Sequence, residues 1–160
     1  MGFQHLRSAA HFSRCGRYRY ALWRAWDDGL ASVMLIGLNP STADATHNDP
    51  TIRRCIGFAR DWGFGSLWVV NLFAFRAVQP KVLMSENDPI GPRNDLWLRK
   101  LARRSDRIVA AWGNHGRFMD RSNAVHAMFE GRLDMIRMNA SGEPAHPLYL
   151  PKGLKPRPMP

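Results

Sequence analysis

Ser32-Val33-Met34-Leu35-Ile36-Gly37-Leu38-Asn39-Pro40-Ser41 decides the fold. The apolar run from Ser32 to Leu38 has no polar alternation, so it predicts a strand buried on both faces, as in a parallel sheet. Gly37, Asn39 and Pro40 then turn the chain. Downstream, Asp49-Pro50-Thr51 is a helix start, with a carboxylate acceptor at the N-cap and then a residue with preset φ and no N–H. A helix over 50–62 follows, with Ile52, Cys55, Ile56 and Ala59 on one face, closed by Gly63-Phe64-Gly65. Upstream, Arg17 to Trp26 alternates, with Tyr18, Tyr20 and Leu22 opposite Arg19, Ala21 and Trp23. With the turn Asp27-Asp28-Gly29 it predicts a hairpin onto the Ser32 strand.

The strand–helix alternation continues outward. Leu67–Leu72, Arg107–Trp112 and Leu133–Met138 read as further buried strands, and 93–104 and 116–130 as helices. Residues 76–92 hold three prolines and read as a long loop. The expected architecture is α/β: a three-layer sandwich with a central, mostly parallel four-stranded sheet and an added N-terminal antiparallel strand. One domain is expected over 1–160, with 1–16 as a loose arm and 152–160 as a basic, Pro-rich tail.

Composition narrows the function classes. Hydrophobic residues make up 45% of the 160, too many for a disordered chain. No apolar stretch nears the ~20 residues that cross a bilayer. Met1 to Leu6 carries no secretory segment, so a cytoplasmic location is expected, with no membrane partner. The two cysteines, Cys15 and Cys55, are expected to be reduced, and His5, His11 and Cys15 fit no standard zinc spacing. No metal or cofactor is expected. Lys and Arg number 23 against 13 acidic residues, a balance of +10 that predicts a polyanionic partner, nucleic acid before others.

In an open parallel sheet, ligands bind beyond the carboxyl ends of the strands. Four segments occupy such positions or a late loop. Gly37 allows close backbone approach, Pro40 stiffens the turn, and Asn39 offers a donor and an acceptor beside Ser41; a simple turn is the competing reading. Asn71 interrupts Leu67-Trp68-Val69-Val70 as that strand runs out. It is either a cap on the strand end or an amide awaiting a planar ligand. Trp112-Gly113-Asn114-His115 closes the third strand, with His115 either an acid–base group or an exposed loop histidine. His146-Pro147-Leu148-Tyr149-Leu150 is either an apolar segment docked on the core or a wedge between bases. Asp44 either holds a water or shapes a polar turn. Serine elbows, P-loops and dinucleotide fingerprints do not occur.

From about Cys15 to Leu150 the chain resembles domain-of-unknown-function family 1643. The likeness rests on Arg17-Tyr18-Arg19-Tyr20, Leu38-Asn39-Pro40-Ser41-Thr42-Ala43-Asp44, Asp49-Pro50-Thr51-Ile52-Arg53-Arg54, Val70-Asn71-Leu72-Phe73, Asp88-Pro89-Ile90-Gly91, Ala111-Trp112-Gly113-Asn114 and His146 to Leu150. The order of the four pocket segments is also similar to the uracil-DNA glycosylase superfamily, which implies a fold of that kind. On that resemblance Asn39 takes the position that orients the attacking water, Asn71 the position that binds the flipped pyrimidine, and His146 the position that stabilises the leaving base. Gly37, Pro40 and Ser41 shape the base site, and Leu148, Tyr149 or Leu150 is the DNA wedge. Arg53, Arg54 and Lys152 would hold phosphates. The chain departs from that superfamily in three places. Asn39 stands where the uracil enzymes have aspartate. Ser41 stands where they have a tyrosine that excludes 5-methyl groups. No Ser-Pro follows His146-Pro147. The base-stacking aromatic is unassigned, with Phe58 and Phe73 as candidates.

The function expected from this is hydrolysis of the N-glycosidic bond of a flipped pyrimidine in DNA, plain or 5-substituted, by a glycosylase-like enzyme. A non-catalytic reader of modified bases or nucleic-acid ends, and an enzyme acting on free nucleotides, are the alternatives.

Overall fold

The computed structural model describes residues 7–160; His5 lies outside them. Seven strands form one sheet: β1 (Arg7–Phe12), β2 (Arg19–Ala25), β3 (Ser32–Gly37), β4 (Ser66–Asn71), β5 (Arg107–Ala110), β6 (Leu133–Met135) and β7 (Arg157–Pro158). Their order is β1-β2-β4-β3-β5-β6-β7. The centre, β4-β3-β5-β6, is parallel; β2 and β7 run against it at the flanks, and β1 pairs antiparallel with β2.

Helix α1 (Pro50–Asp61) crosses from β3 to β4 on one face. Its Ile52, Cys55, Ile56 and Ala59 pack on Val33 and Leu35 of β3. The other face takes α3 (Asn94–Ala102) and α4 (Arg121–Met128), where Leu98, Leu101 and Val125 meet Met34 and Ile36. Both faces of β3 are thus covered, which is why its sequence is apolar throughout. The chain leaves β3 toward β4 and returns on the other side to β5. The crevice between the carboxyl ends of β3 and β5 is therefore the topological switch point, where open α/β sheets bind ligands.

Asp49 caps α1 as its sequence predicts: its side chain accepts from the Ile52 N–H at 2.9 Å, and Pro50 fills the first turn. Other expectations need correction. The hairpin between β2 and β3 does not form; β4 lies between them and pairs with both. Periodicity shows that a strand is buried but not which neighbour it takes. The expected loose arm contains β1, paired with β2 along its length. The tail is docked: β7 pairs with β6, and the Trp62 indole N–H donates to the Leu154 carbonyl at 2.9 Å. The long loop holds a short helix, α2 (Pro80–Met84), begun by one of the prolines that made it read as irregular. The helix expected over 116–130 is a 3₁₀ segment, Asn114–Asp120, followed by the shorter α4. Between them the left-handed Met119 and Asp120 (φ 55° and 56°) break it.

Among the described residues, no helix is long and apolar enough to cross a membrane, and no cluster of metal-ligating side chains occurs. Both cysteines are free.

Candidate functional site

Two connected cavities open at the carboxyl ends of the parallel strands. The inner one, about 50 Å³, is lined by Gly37, Asn39, Ser41, Asn71 and His146 among others. The outer cleft, about 620 Å³, shares Leu38, Asn39, Ser41, Thr51 and His146 with it and runs on past Trp112 to Tyr149. Asn39, Asn71 and His146, far apart in sequence, therefore face one space.

Asn71 is held from several sides. The next residue's N–H, Leu72 N, donates to the Gly37 carbonyl at 2.9 Å, continuing the β3–β4 ladder. Asn94 Nδ2 donates to both the Asn71 and the Leu72 carbonyls, at 2.9 and 3.0 Å, and Arg121 Nε adds a bond to Leu72 O at 2.8 Å. The side chain is 3% exposed, yet its Nδ2 has no hydrogen-bond partner among the described residues. Leaving such a donor unpaired costs about 1–3 kcal/mol, so a ligand acceptor or water is called for. Gly37 makes room for this amide: a Cβ there would stand 2.8 Å from Asn71 Oδ1.

Asn39 donates both amide hydrogens to carbonyls, Ala77 O at 2.8 Å and Pro40 O at 3.0 Å. That assigns the flip and leaves Oδ1 as the side chain's acceptor on a residue that lines both cavities. His146 begins the 3₁₀ turn Pro147–Tyr149, and its Nδ1 accepts from the Leu148 N–H at 3.2 Å. The neutral ring therefore carries its proton on Nε2, as a donor. Burial holds the His146 pKa below the ordinary histidine value, against a smaller upward pull from the Asp49 carboxylate. Gly113, at φ 78°, lets the β5 loop pass beside His146, and its N–H donates to the Pro144 carbonyl at 2.8 Å. Glu143, buried, joins the same two loops by accepting from Trp112 Nε1 at 2.7 Å and from Ser122 Oγ at 2.9 Å.

Other predicted residues fall elsewhere. Asp44 lines neither cavity. Its carboxylate accepts the Thr46 and His47 N–H groups, which pull its pKa down to about 2. Leu148 and Tyr149 stand on the cleft rim, 37% and 82% exposed, whereas Leu150 is buried under α1 and presents no wedge. His115 is exposed along the outer cleft. Asn114 also lines it, its Oδ1 accepting from Asn139 Nδ2 at 2.9 Å and Ser141 Oγ at 2.6 Å. Arg53 is exposed and donates to the Asn48 carbonyl; Arg54 donates to the Leu150 carbonyl and lies over the Phe58 ring; Lys152 is exposed. Phe58 packs on Trp62 and Phe73 on Phe118, and neither lines the inner cavity or the outer cleft; Phe58 lines a separate small cavity with Arg54 and Lys152.

Sequence reading missed the polar and titratable side chains Arg19, Asp49, Thr51 and Cys55 of the inner wall, along with apolar ones such as Leu35 and Val69. Asp49 was readable as a helix cap, and that role hid its second position facing the cavity. Burial pushes the Cys55 thiol up to about 12, so it is unreactive wall. Arg19 was legible only as one member of an alternating strand.

No curated protein and no solved structure is similar enough to this chain to match. Residues 19–148, most of its length, match the family model described as "Protein of unknown function (DUF1643)", and the chain with its switch-point cavity belongs to that family.

Proposed function

We propose that this chain binds DNA and hydrolyses the N-glycosidic bond of a flipped pyrimidine, plain or 5-substituted, in the manner of the uracil-DNA glycosylase superfamily. One observation carries the reading. Asn71, whose buried Nδ2–H is unpartnered, Asn39 and His146 line one cavity, and the segments bearing them follow the order of that superfamily.

Asn71 reads the edge of the base by donating to a ring carbonyl. As the C1′–N bond breaks, its electron pair passes to the base, which becomes an anion, and the sugar becomes an oxocarbenium-like cation. His146 Nε2–H stabilises the anion, a kind of donor worth about 3 kcal/mol of barrier. Asn39 Oδ1 accepts a hydrogen bond from water and aims it at C1′. The water oxygen bonds to C1′, and its proton leaves to solvent or to the departing base. The outer cleft admits the strand, and Leu148 or Tyr149 fills the gap left in the stack. The charge of +10 favours the phosphate backbone.

The test is release of free base from oligonucleotides containing uracil, 5-hydroxymethyluracil or mismatched thymine. Asn39→Ala should bind DNA normally and turn over at least tenfold more slowly. No release across the panel, from folded protein that binds DNA, removes the enzymatic reading. One observation favours a second reading, a non-catalytic reader of modified bases. Asn39 spends its donors on the protein backbone, and an amide cannot take a proton from water as a carboxylate can. That reading expects salt-dependent binding that survives Asn39→Ala and no turnover.

A further inference from the structure

Away from the cavities, one face of the sheet's β1–β2 flank is half bare. Trp23 of β2 pairs with Trp68 of β4 and Ala9 of β1, and His11 of β1 pairs with Ala21, so these side chains point to the face that carries α3. Leu98 and Leu101 of α3 cover Met34 and Ile36 at the centre of that face. Toward β1 the cover thins, and Ala9, His11, Trp23, Trp68 and Trp97 are each partly exposed. The rings run together: the Trp23 and Trp68 centroids are 5.9 Å apart, and His11 lies 6.2 Å from Trp68 and stacks on Trp97 at 4.7 Å. A half-solvated antiparallel face ordinarily turns polar side chains outward. Three of the chain's six tryptophans stand there instead, and none of the four rings lines the inner cavity or the outer cleft.

Cations border the rings. Lys100 Nζ sits 4.8 Å from the Trp97 centroid, and the Arg7 guanidinium sits 5.4 Å from that of Trp23 and also pairs with Asp28. Both side chains are exposed, on long stems that can turn from ring to phosphate. Over 93–104 the chain places Arg93, Arg99, Lys100, Arg103 and Arg104, all exposed, against Asp95 alone, and Asp95 is engaged by Arg121. Half-open rings beside a strip of cations match a strand that offers base faces and phosphates together. A duplex keeps its base faces inside its own stack, so the match is to unpaired nucleotides. Beyond the His11 imidazole, the rings and Ala9 give a ribose 2′-hydroxyl no side-chain acceptor, so the strand that fits is DNA. We propose that this flank is a separate site for single-stranded DNA, with bases on Trp23, Trp68 and His11 and phosphates along α3 and the turn after it. The site uses neither the inner cavity nor the glycosidic reaction.

Fluorescence anisotropy with a labelled oligodeoxyadenylate of about twelve nucleotides tests it, since this strand stacks well and offers the inner cavity no pyrimidine. Trp23→Thr should weaken its binding about tenfold, the scale of one base stacked on one ring, while a hairpin duplex binds within twofold of wild type. In Lys100→Ala the slope of log affinity against log salt should fall by about 0.7, one phosphate contact on a single strand. Where Trp23→Thr does not fold, the wild-type protein decides. The indole N–H resonances of Trp23, Trp68 and Trp97 should shift on adding the oligonucleotide, and that of Trp112, beside the outer cleft, should stay; shifts confined to Trp112 overturn the proposal. Unchanged affinity in folded Trp23→Thr, or an unchanged salt slope in Lys100→Ala, also overturns it. So does a wild-type dimer in sedimentation that Trp23→Thr dissociates, which would give the face to a second copy. No binding of the oligonucleotide by folded protein overturns this site, and the duplex measurement then decides the DNA reading of the cleft by itself.

Discussion

The inner cavity and the outer cleft share a wall but differ in how their polar groups are treated. In the cleft, Asn114 Oδ1 accepts from Asn139 Nδ2 and from Ser141 Oγ, and the rim side chain Tyr149 is 82% exposed. In the inner cavity, Asn71 and Arg19 are buried with donors unspent. A protein tolerates exposed polar groups at little cost but not buried unpaired ones. On the proposed function, that difference assigns base recognition to the small cavity and docking to the large one.

The sharpest way to break that division is His146→Ala. Base release should slow by about 10²–10³-fold, while DNA affinity by fluorescence anisotropy stays within twofold. An equal loss of affinity would move His146 to the docking side. Next is Gly37→Ala, whose methyl would lie 2.8 Å from Asn71 Oδ1 in a strand buried on both faces. Overpacking there should cost about 1–3 kcal/mol by urea denaturation and slow base release about tenfold or more. DNA binding should persist. Tyr149→Ala probes the other region: affinity for DNA should fall about fivefold, with single-turnover rate and melting temperature unchanged.

The smallest effect is on pH. The unfolded chain protonates His146 near pH 6.5, and the folded chain only at lower pH, because burial disfavours the cation. The unfolded state therefore binds more protons in that interval, and stability falls as pH drops from about 6.5 toward the folded value. Urea midpoints at pH 7.5 and 5.5 should show a shallower fall in His146→Ala than in wild type. His11, whose pKa is lowered by burial and by the Lys100 charge, and Cys15, whose thiol is pulled down to about 7 by hydrogen bonds with Ser13 and Arg17, contribute to the remainder.

Much of the centre was legible. The run Ser32–Leu38, the Asp49-Pro50 start and the strand at Leu67 appear where the pattern places them, because burial on both faces leaves an apolar signature; β5 and β6 start where expected but end early, at Ala110 and Met135. The flanks were less so. Arg7–Phe12 is only partly buried and carries no clean period, and the two-residue β7 is too short to have one. The basic composition also misled in part. Arg19, Arg24 and Arg121 are buried and bond backbone carbonyls, so they do not belong to a polyanion-binding surface.

Local sequence by itself determined the element types around β3 and the positions of Asn39 and Asn71 at strand ends, since side-chain period and turn chemistry act over a few residues. Only the tertiary structure decided that β4 enters between β2 and β3, that Leu150 turns inward, and that Arg19 and Asp49 join the inner wall. Those outcomes depend on which distant surfaces pack together, and packing preferences are not written in the spacing of any one segment.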